Sequence, residues 1–182
     1  MSNFDPQEET NEKDGQSLSL APKVLKGSDQ RLFLVVVDAT EEMRIALRFA
    51  CQRAKNTKGR VALFYVMEPV DFQHWMAVGE KMREERREEA ERILHDLASD
   101  VNDITGEMPV LYLREGKPVD ELEKLIEEEP NIRILVLGAG TSKKGPGPLV
   151  ASLAGKFSGK FPVPITVVPG NLSSVSYTHL RA

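Results

Sequence analysis

The sequence has almost no cysteine, no long apolar run and no excess of positive charge, and each scarcity excludes a class of protein. With Cys51 alone, no intrachain disulfide can form, which fits a reducing compartment. No run of about 18 apolar residues occurs, so no transmembrane helix is predicted. The first residues lack the basic start and the apolar stretch of a secretory signal, so we expect a cytoplasmic protein without membrane contact.

Nucleic-acid binding and conventional catalysis are also disfavoured by what is missing. The chain carries 24 Lys and Arg against 28 Asp and Glu, an acidic balance that gives no electrostatic footprint for DNA or RNA. His74, His95 and His179 are scattered, without the spacing of metal ligands. Ser152 has neither the elbow motif nor the nearby histidine that a serine nucleophile needs. The sequence therefore predicts no nucleic-acid partner, no metal site and no catalytic residues.

The composition that is present indicates one ordinary domain with flanking tails. Hydrophobic residues make up 41% of 182, enough for a substantial core. Residues 1–30 are polar and aperiodic and are interpreted as a flexible tail, or alternatively as an arm that docks on a partner subunit. Residues 31–170 carry the domain. Residues 171–182 do not continue its pattern and are interpreted as a C-terminal tail, with translated adaptor or vector sequence as one origin.

Short apolar strands alternate with helices along the domain. The predicted strands are residues 32–37, 61–66, 110–113, 132–137 and 165–168. The first predicted helix follows the N-cap Thr40, and the second spans residues 73–104. The third begins at Pro118. The fourth begins at Pro148 and carries Leu149, Leu153 and Phe157 on one face. Such alternation implies right-handed crossovers. We therefore predict an α/β fold: a single open, mostly parallel five-stranded sheet with helices on both faces, Rossmann-like, in the order 3-2-1-4-5.

The last predicted strand is flanked by Pro164 and Pro169, which fits an edge position because a missing N–H costs little there. An apolar edge strand favours pairing with a second copy of the chain. We expect a homodimer that forms through this C-terminal edge strand.

Two conspicuous groups are interpreted as structural. Cys51 lies on the apolar stripe of the first helix and is expected to be an inert core thiol. The Arg and Glu run at residues 83–92 is expected to be a solvated helix face with ion pairs four residues apart.

A ligand crevice is predicted beyond the carboxyl ends of strands 1 and 4, where the strand order reverses. Its rim would be Asp38, Ala39 and Thr40 on one side and residues 138–152 on the other. The best glycine-rich loop in the chain falls within that second segment.

Four segments, in this order and spacing, resemble the universal stress protein family over residues 31–170. They are Val36-Val37-Asp38, Gly116-Lys117-Pro118, the stretch 135–138 that ends in Gly138, and the stretch 162–168. The resemblance implies an adenine nucleotide alpha hydrolase-like fold. It also implies a dimeric regulator of the stress response, not an enzyme, which acts through protein partners yet to be identified. Its ligand would be ATP or another adenine nucleotide.

Family members that bind ATP look like Gly-x2-Gly-x9-Gly-Ser/Thr after the fourth strand, and this frame falls here on Gly138, Thr141, Ala151 and Ser152. The resemblance implies that Ser152 supplies the hydroxyl that meets phosphate and that Asp38 contacts the nucleoside. The predicted ligand-binding residues are Asp38, Ala39, Thr40, Gly138, Gly140, Thr141, Ala151 and Ser152.

The same loop departs from the family pattern. Thr141 and Ala151 place Cβ atoms where the backbone would approach phosphates, and Pro146 and Pro148 remove two amide donors. Lys143 and Lys144 and the start of the fourth helix could supply positive charge instead, although both lysines also suit a solvated loop. A nucleotide-free interaction scaffold of the same fold therefore stays open as an alternative. A slow nucleotide hydrolase is a further one, with only Asp38 available as a carboxylate.

Overall fold

The computed structural model describes residues 30–38, 40–69, 76–143, 145–155, 159 and 161–173. Its strands are β1 (Leu32–Val36), β2 (Arg60–Met67), β3 (Val110–Glu115), β4 (Ile132–Ala139) and β5 (Ile165–Pro169). Its helices are α1 (Glu41–Thr57), α2 (Met76–Thr105), α3 (Pro118–Glu128) and α4 (Pro148–Gly155). The strands form one sheet in the order β3-β2-β1-β4-β5, with every neighbouring pair parallel. This confirms the predicted fold class.

Strand β1 is central, and both of its faces are covered. Phe33 and Val35 pack into the layer that contains α1 and α2, whereas Leu32 and Leu34 pack into the layer that contains α3 and α4. All five residues of β1 are buried. A strand covered on both faces is apolar at every position, which explains its unbroken apolar run.

Strands β2, β3, β4 and β5 all extend further than the sequence pattern predicts, with β3 and β4 two residues longer at their carboxyl ends, and β1 ends one residue earlier. Strand β4 reaches Ala139 because β5 pairs with it as far as Pro169. Strand β3 reaches Glu115, which pairs with Met67 of β2. The glycine in β4 is a poor strand former, so intrinsic preference places the strand end too early there, and neighbouring strands decide the actual end.

Helix α1 has well-defined ends. The Thr40 hydroxyl accepts the N–H of Met43 at 3.2 Å, which is the expected N-cap bond. The helix ends where Lys58 adopts a left-handed φ of 55° and donates its N–H to the Ala54 carbonyl. Its inward face is rich in alanine, so the helix axis lies close to the sheet. These contacts fix the first turn of α1 over the carboxyl end of the sheet.

Helix α2 carries the predicted charged face. Lys81 and Glu85 form an ion pair at 3.9 Å, and Arg87 and Glu91 form another at 3.0 Å, each four residues apart. The solvated-face interpretation is therefore confirmed for this stretch.

Several predictions fall on parts of the chain that the structure does not describe. They are the start of α2 at residue 73, Phe157 in the last helix, residues 1–29 and residues 174–182. Among the described helices, none combines the length and the apolar character needed to cross a membrane.

Candidate functional site

The carboxyl ends of β1 and β4 lie side by side at the point where the strand order reverses. Val35 pairs with Val136, and this register carried forward brings Asp38 level with Ala139. Neighbouring strands lie about 4.8 Å apart. The structure therefore brings Asp38 and residues 138–140 to one edge of the sheet, where open α/β sheets bind ligands.

Asp38 is exposed and is fixed by one of its two oxygens. Its Oδ1 accepts the N–H of Thr40 at 2.9 Å and the hydroxyl of Thr40 at 2.5 Å. The same hydroxyl caps α1 through Met43. The second carboxylate oxygen has no hydrogen bond to any described residue. Asp38 thus holds a turn and still has an acceptor for a ligand.

Gly138 has a packing role that the sequence did not reveal. A Cβ placed on it would lie 2.6 Å from the carbonyl carbon and oxygen of Glu42 and 2.8 Å from the nitrogen of Met43. These are backbone atoms of the first turn of α1, which cannot move aside cheaply. Glycine is needed here for close contact between helix and strand, whether or not a ligand binds.

The loop between β4 and α4 folds back on itself. The N–H of Gly140 donates to the Pro146 carbonyl at 3.3 Å, and the N–H of Gly145 donates to the Ser142 carbonyl at 3.0 Å. A Cβ on Gly140 would lie 2.8 Å from the Gly145 oxygen. Gly145 and Gly147 have φ values of 88° and 100°, which favour glycine. Two loop amides are therefore occupied within the loop.

Helix α4 begins three residues before the Ala151-Ser152 pair. The N–H of Ala151 donates to the Gly147 carbonyl at 3.0 Å, so this amide is occupied inside the helix. Ala151 is exposed, and Ser152, the fifth residue of α4, is half-buried. The orphan amides of α4 belong instead to the residues just after Pro148. Ser152 lies about 6 Å further along the helix axis than Pro148.

The other predicted residues of this region fall into two groups. Thr141 and Lys143 are exposed on the loop. Ala39 and Lys144 lie outside the described residues.

Glu42 is a site residue that sequence reasoning missed. Its Oε1 lies 3.7 Å from the position that a Cβ on Gly140 would occupy. A Cβ on Gly170 would overlap the Cγ of Glu42. Gly170 itself donates its N–H to the Ala139 carbonyl at 2.9 Å. The half-buried Glu42 side chain therefore runs across the ends of β4 and β5 to the first residue of the loop.

A sequence signal for Glu42 did exist. Ala46 and Ala50, four and eight residues later, are fully buried on the inward face of α1. A residue at this spacing shares that face. A carboxylate on the buried face of a helix is unusual and therefore indicates a specific role. The sequence analysis treated Glu42 only as an acidic residue in the first turn of a helix, where acidic residues are common.

Two arginines of α2 bond to groups at the carboxyl ends of β2 and β3. Arg83 of α2 donates to the Glu115 carboxylate at 2.8 Å, and Arg86 donates to the Glu68 carbonyl at 2.6 Å. In the described part of the chain, no group of three His, Cys, Asp or Glu residues is arranged to hold a metal ion.

An apolar groove of about 360 Å³ lies between α4 and β5. It is lined by Leu137, Val150, Leu153, Phe161, Val163, Pro164, Ile165 and Val167. None of the predicted ligand-binding residues lines it.

Comparison with known proteins identifies the family. Residues 31–169 match the Universal stress protein family. The chain is similar in structure to a universal stress protein family member from Burkholderia pseudomallei, with 21% identity, a TM-score of 0.61, and coverage of 79% of this chain and 98% of that one.

Two further structures share the fold. The universal stress protein UspA from Lactobacillus plantarum is 17% identical, with a TM-score of 0.63 and coverage of 76% of this chain and 97% of that one. A universal stress protein family protein from Arabidopsis thaliana, determined with AMP bound, is 14% identical, with a TM-score of 0.56 and coverage of 76% and 91%. A search of curated proteins gave no match. Because the family match spans most of its length, the chain belongs to the universal stress protein family.

Proposed function

We propose that this protein is a stress-response regulator that binds an adenine nucleotide at the carboxyl edge of β1 and β4, without catalysing a reaction. The observation that carries the proposal is the exposed Asp38 carboxylate. One oxygen is fixed by Thr40, and the other has no partner among the described residues. A fixed carboxylate oxygen is a preorganised acceptor for the hydroxyl groups of a ribose.

The phosphate end of the ligand would meet the start of α4. The amides of Leu149 and Val150 belong to the first helical turn and have no acceptor within the helix. The positive end of the helix dipole favours an anion at the same place. Lys143, exposed on the preceding loop, adds a positive charge. Thr141 and Ala151 stand where the family pattern has glycine, which would let the backbone approach the phosphates. The amides of α4 and the Lys143 charge can replace part of that lost phosphate binding.

The family supports an adenine ligand and a regulatory role. The Arabidopsis thaliana relative with the same fold was determined with AMP bound. We propose that this chain acts in the cytoplasm, where its single free thiol suits the reducing conditions. Protein partners would read the nucleotide-bound state, which the ligand stabilises by mass action.

The decisive test is thermal unfolding of the full chain with and without millimolar AMP, compared with Asp38→Asn. Asparagine keeps an oxygen that accepts from Thr40, so the turn is expected to survive. Its amide nitrogen replaces the second carboxylate oxygen with a donor. We expect AMP to raise the Tm of the wild type by several degrees and to raise that of the variant by much less.

The matched control is Asp103→Asn, which removes an exposed carboxylate near the end of α2. This position lies near the amino ends of the strands, opposite to the crevice. This variant should respond to AMP like the wild type. Equal AMP shifts in Asp38→Asn and the wild type would contradict the proposed role of Asp38.

A nucleotide-free interaction scaffold is the second candidate, and the self-bonded loop favours it. Gly140 and Gly145 direct their amides to acceptors within the loop and not outward. If neither AMP, ATP nor adenosine shifts the Tm of the folded wild type, the loop has closed the pocket and the scaffold function holds.

We also propose that the chain forms a homodimer through β5. This strand has a neighbour on one side only, β4, and its outer side is free among the described elements. Val167 on β5 is 43% exposed although it is a large apolar residue. It also lines the apolar groove beside α4. An exposed edge strand next to an apolar groove offers both backbone pairing and apolar burial to a second copy.

A further inference from the structure

We infer that the crevice prefers an adenine nucleotide with one phosphate over the triphosphate, and that Glu42 is the residue that sets this preference. The inference rests on the proposed nucleotide site and adds which ligand that site selects.

The Glu42 side chain is held in place on the ligand side of the sheet edge. Its backbone packs on Gly138, and its Cγ fills the space above Gly170, which has no side chain of its own. Its Oε1 lies beside Gly140, the first residue of the loop. Because its stem is packed, the carboxylate cannot simply turn away from an incoming anion.

Several donors that a chain of phosphates could use are already bonded or missing. The amides of Gly140 and Gly145 are bonded within the loop, and that of Ala151 is bonded within α4. Pro146 and Pro148 have no N–H. The first-turn amides of α4 and the exposed Lys143 on the preceding loop remain as groups for one phosphate.

Electrostatics acts in the same direction. Each further phosphate adds negative charge and extends the ligand toward the loop, whose first residue, Gly140, lies beside the Glu42 carboxylate. Like charges a few ångströms apart at a half-exposed site repel each other appreciably. The single phosphate at the start of α4 gains from the helix dipole, whereas the outer phosphates of a triphosphate would also meet the Glu42 carboxylate.

The test is calorimetric titration of AMP and of ATP into the full chain, without divalent cations, for the wild type and Glu42→Gln. Glutamine keeps the shape and removes the charge. The wild type should bind AMP about tenfold more tightly than ATP, the effect expected of one charge pair at this range. Glu42→Gln should bind ATP about tenfold more tightly than the wild type does and leave AMP affinity nearly unchanged.

The matched control is Glu41→Gln, the neighbouring acid in the same turn of α1, which is exposed. It removes the same charge and the same helix-dipole interaction, so its ratio of ATP to AMP affinity should equal that of the wild type. Glu42→Ala provides a second charge-removing variant and should shift the ratio in the same direction as Glu42→Gln.

The outcomes separate this inference from the function on which it rests. Equal affinity for AMP and ATP in the wild type, or a ratio that Glu42→Gln leaves unchanged, would overturn the role of Glu42 while the nucleotide site stands. Absence of binding by AMP, ATP and adenosine alike would overturn the nucleotide site itself.

Discussion

The environment of Cys51 suppresses the reactivity of its thiol. Its side chain is buried in the core layer between α1, α2 and the sheet. Burial, and secondarily the negative charge of Asp100, raises the pKa of the Cys51 thiol to about 12. The thiolate is the reactive form, so this cysteine is inert at neutral pH, as its place on an apolar stripe predicted.

The raised pKa makes stability depend on pH in a defined window. In the unfolded chain the thiol has a pKa of about 8.5, so above that pH the unfolded state loses a proton that the folded state keeps. The free energy of unfolding should therefore fall as pH rises. Between pH 9 and pH 10, urea unfolding should show the wild type losing about 1 kcal/mol more than Cys51→Ala.

Cys51→Ala will also leave a small cavity, but that cost is the same at every pH. The difference between the two pH slopes is therefore the quantity to compare. Parallel slopes for the two proteins between pH 9 and pH 10 would show that the thiol ionises equally easily in the folded and unfolded states.

Single residues of the site were predictable to different degrees. Asp38 follows a buried strand at the point where the order reverses, so topology alone places it at the crevice. Gly138 was correctly placed at the edge, but its close contact with Glu42 and Met43 depends on how α1 crosses β4, which no local pattern contains. Glu42 was overlooked because an acid in a first turn already has an ordinary explanation.

At the scale of elements, the contact between α1 and β4 positions the crevice. Gly138→Ala would place a Cβ 2.6 Å from backbone atoms of the first turn of α1. The helix would have to move outward, and overpacking of this kind costs roughly 1 to 3 kcal/mol. Urea unfolding should show a loss of about 2 kcal/mol for this variant.

Gly155→Ala is the matched control for that measurement. A Cβ on Gly155, at the end of α4, would meet nothing within 4 Å, and alanine is the better helix former. This variant should be as stable as the wild type or slightly more stable. If Gly138→Ala unfolds at the same urea concentration as the wild type, the close contact does not exist in solution.

Strands and helices were predictable because their apolar residues recur at regular spacing. The order of the strands was an expectation from the fold class, since right-handed crossovers alone are compatible with more than one order. The loop between β4 and α4 was not, because its shape depends on tertiary bonds such as that from Gly140 to Pro146. The start of α4 shows the same limit. Pro148 signalled it, but the family frame directed attention to Ala151 and Ser152, which lie inside the helix.

At the scale of the whole molecule, the two edges of the sheet differ. The β3 edge strand has its first four residues buried and ends in Arg114 and Glu115, which form ion pairs with Glu128 and Arg83. The β5 edge is short and carries no charged residue, and it exposes Val167 beside an apolar groove. Charged edges resist pairing, whereas uncharged apolar edges favour it. We therefore expect the second copy at β5.

Val167→Lys is the variant that tests this interface, with Met82→Lys as its matched control. Val167 and Met82 are 43% and 41% exposed, so each substitution replaces a similarly exposed apolar side chain by lysine. Met82 lies on α2, which packs against β2 and β3, away from β5.

In light scattering at micromolar concentration, the wild type and Met82→Lys should have the mass of a dimer. Val167→Lys should have the mass of a monomer, because a dimer through β5 would bury two lysine charges at its centre. A dimeric Val167→Lys would place the interface elsewhere on the molecule, and a monomeric wild type would mean that the chain does not dimerise at that concentration.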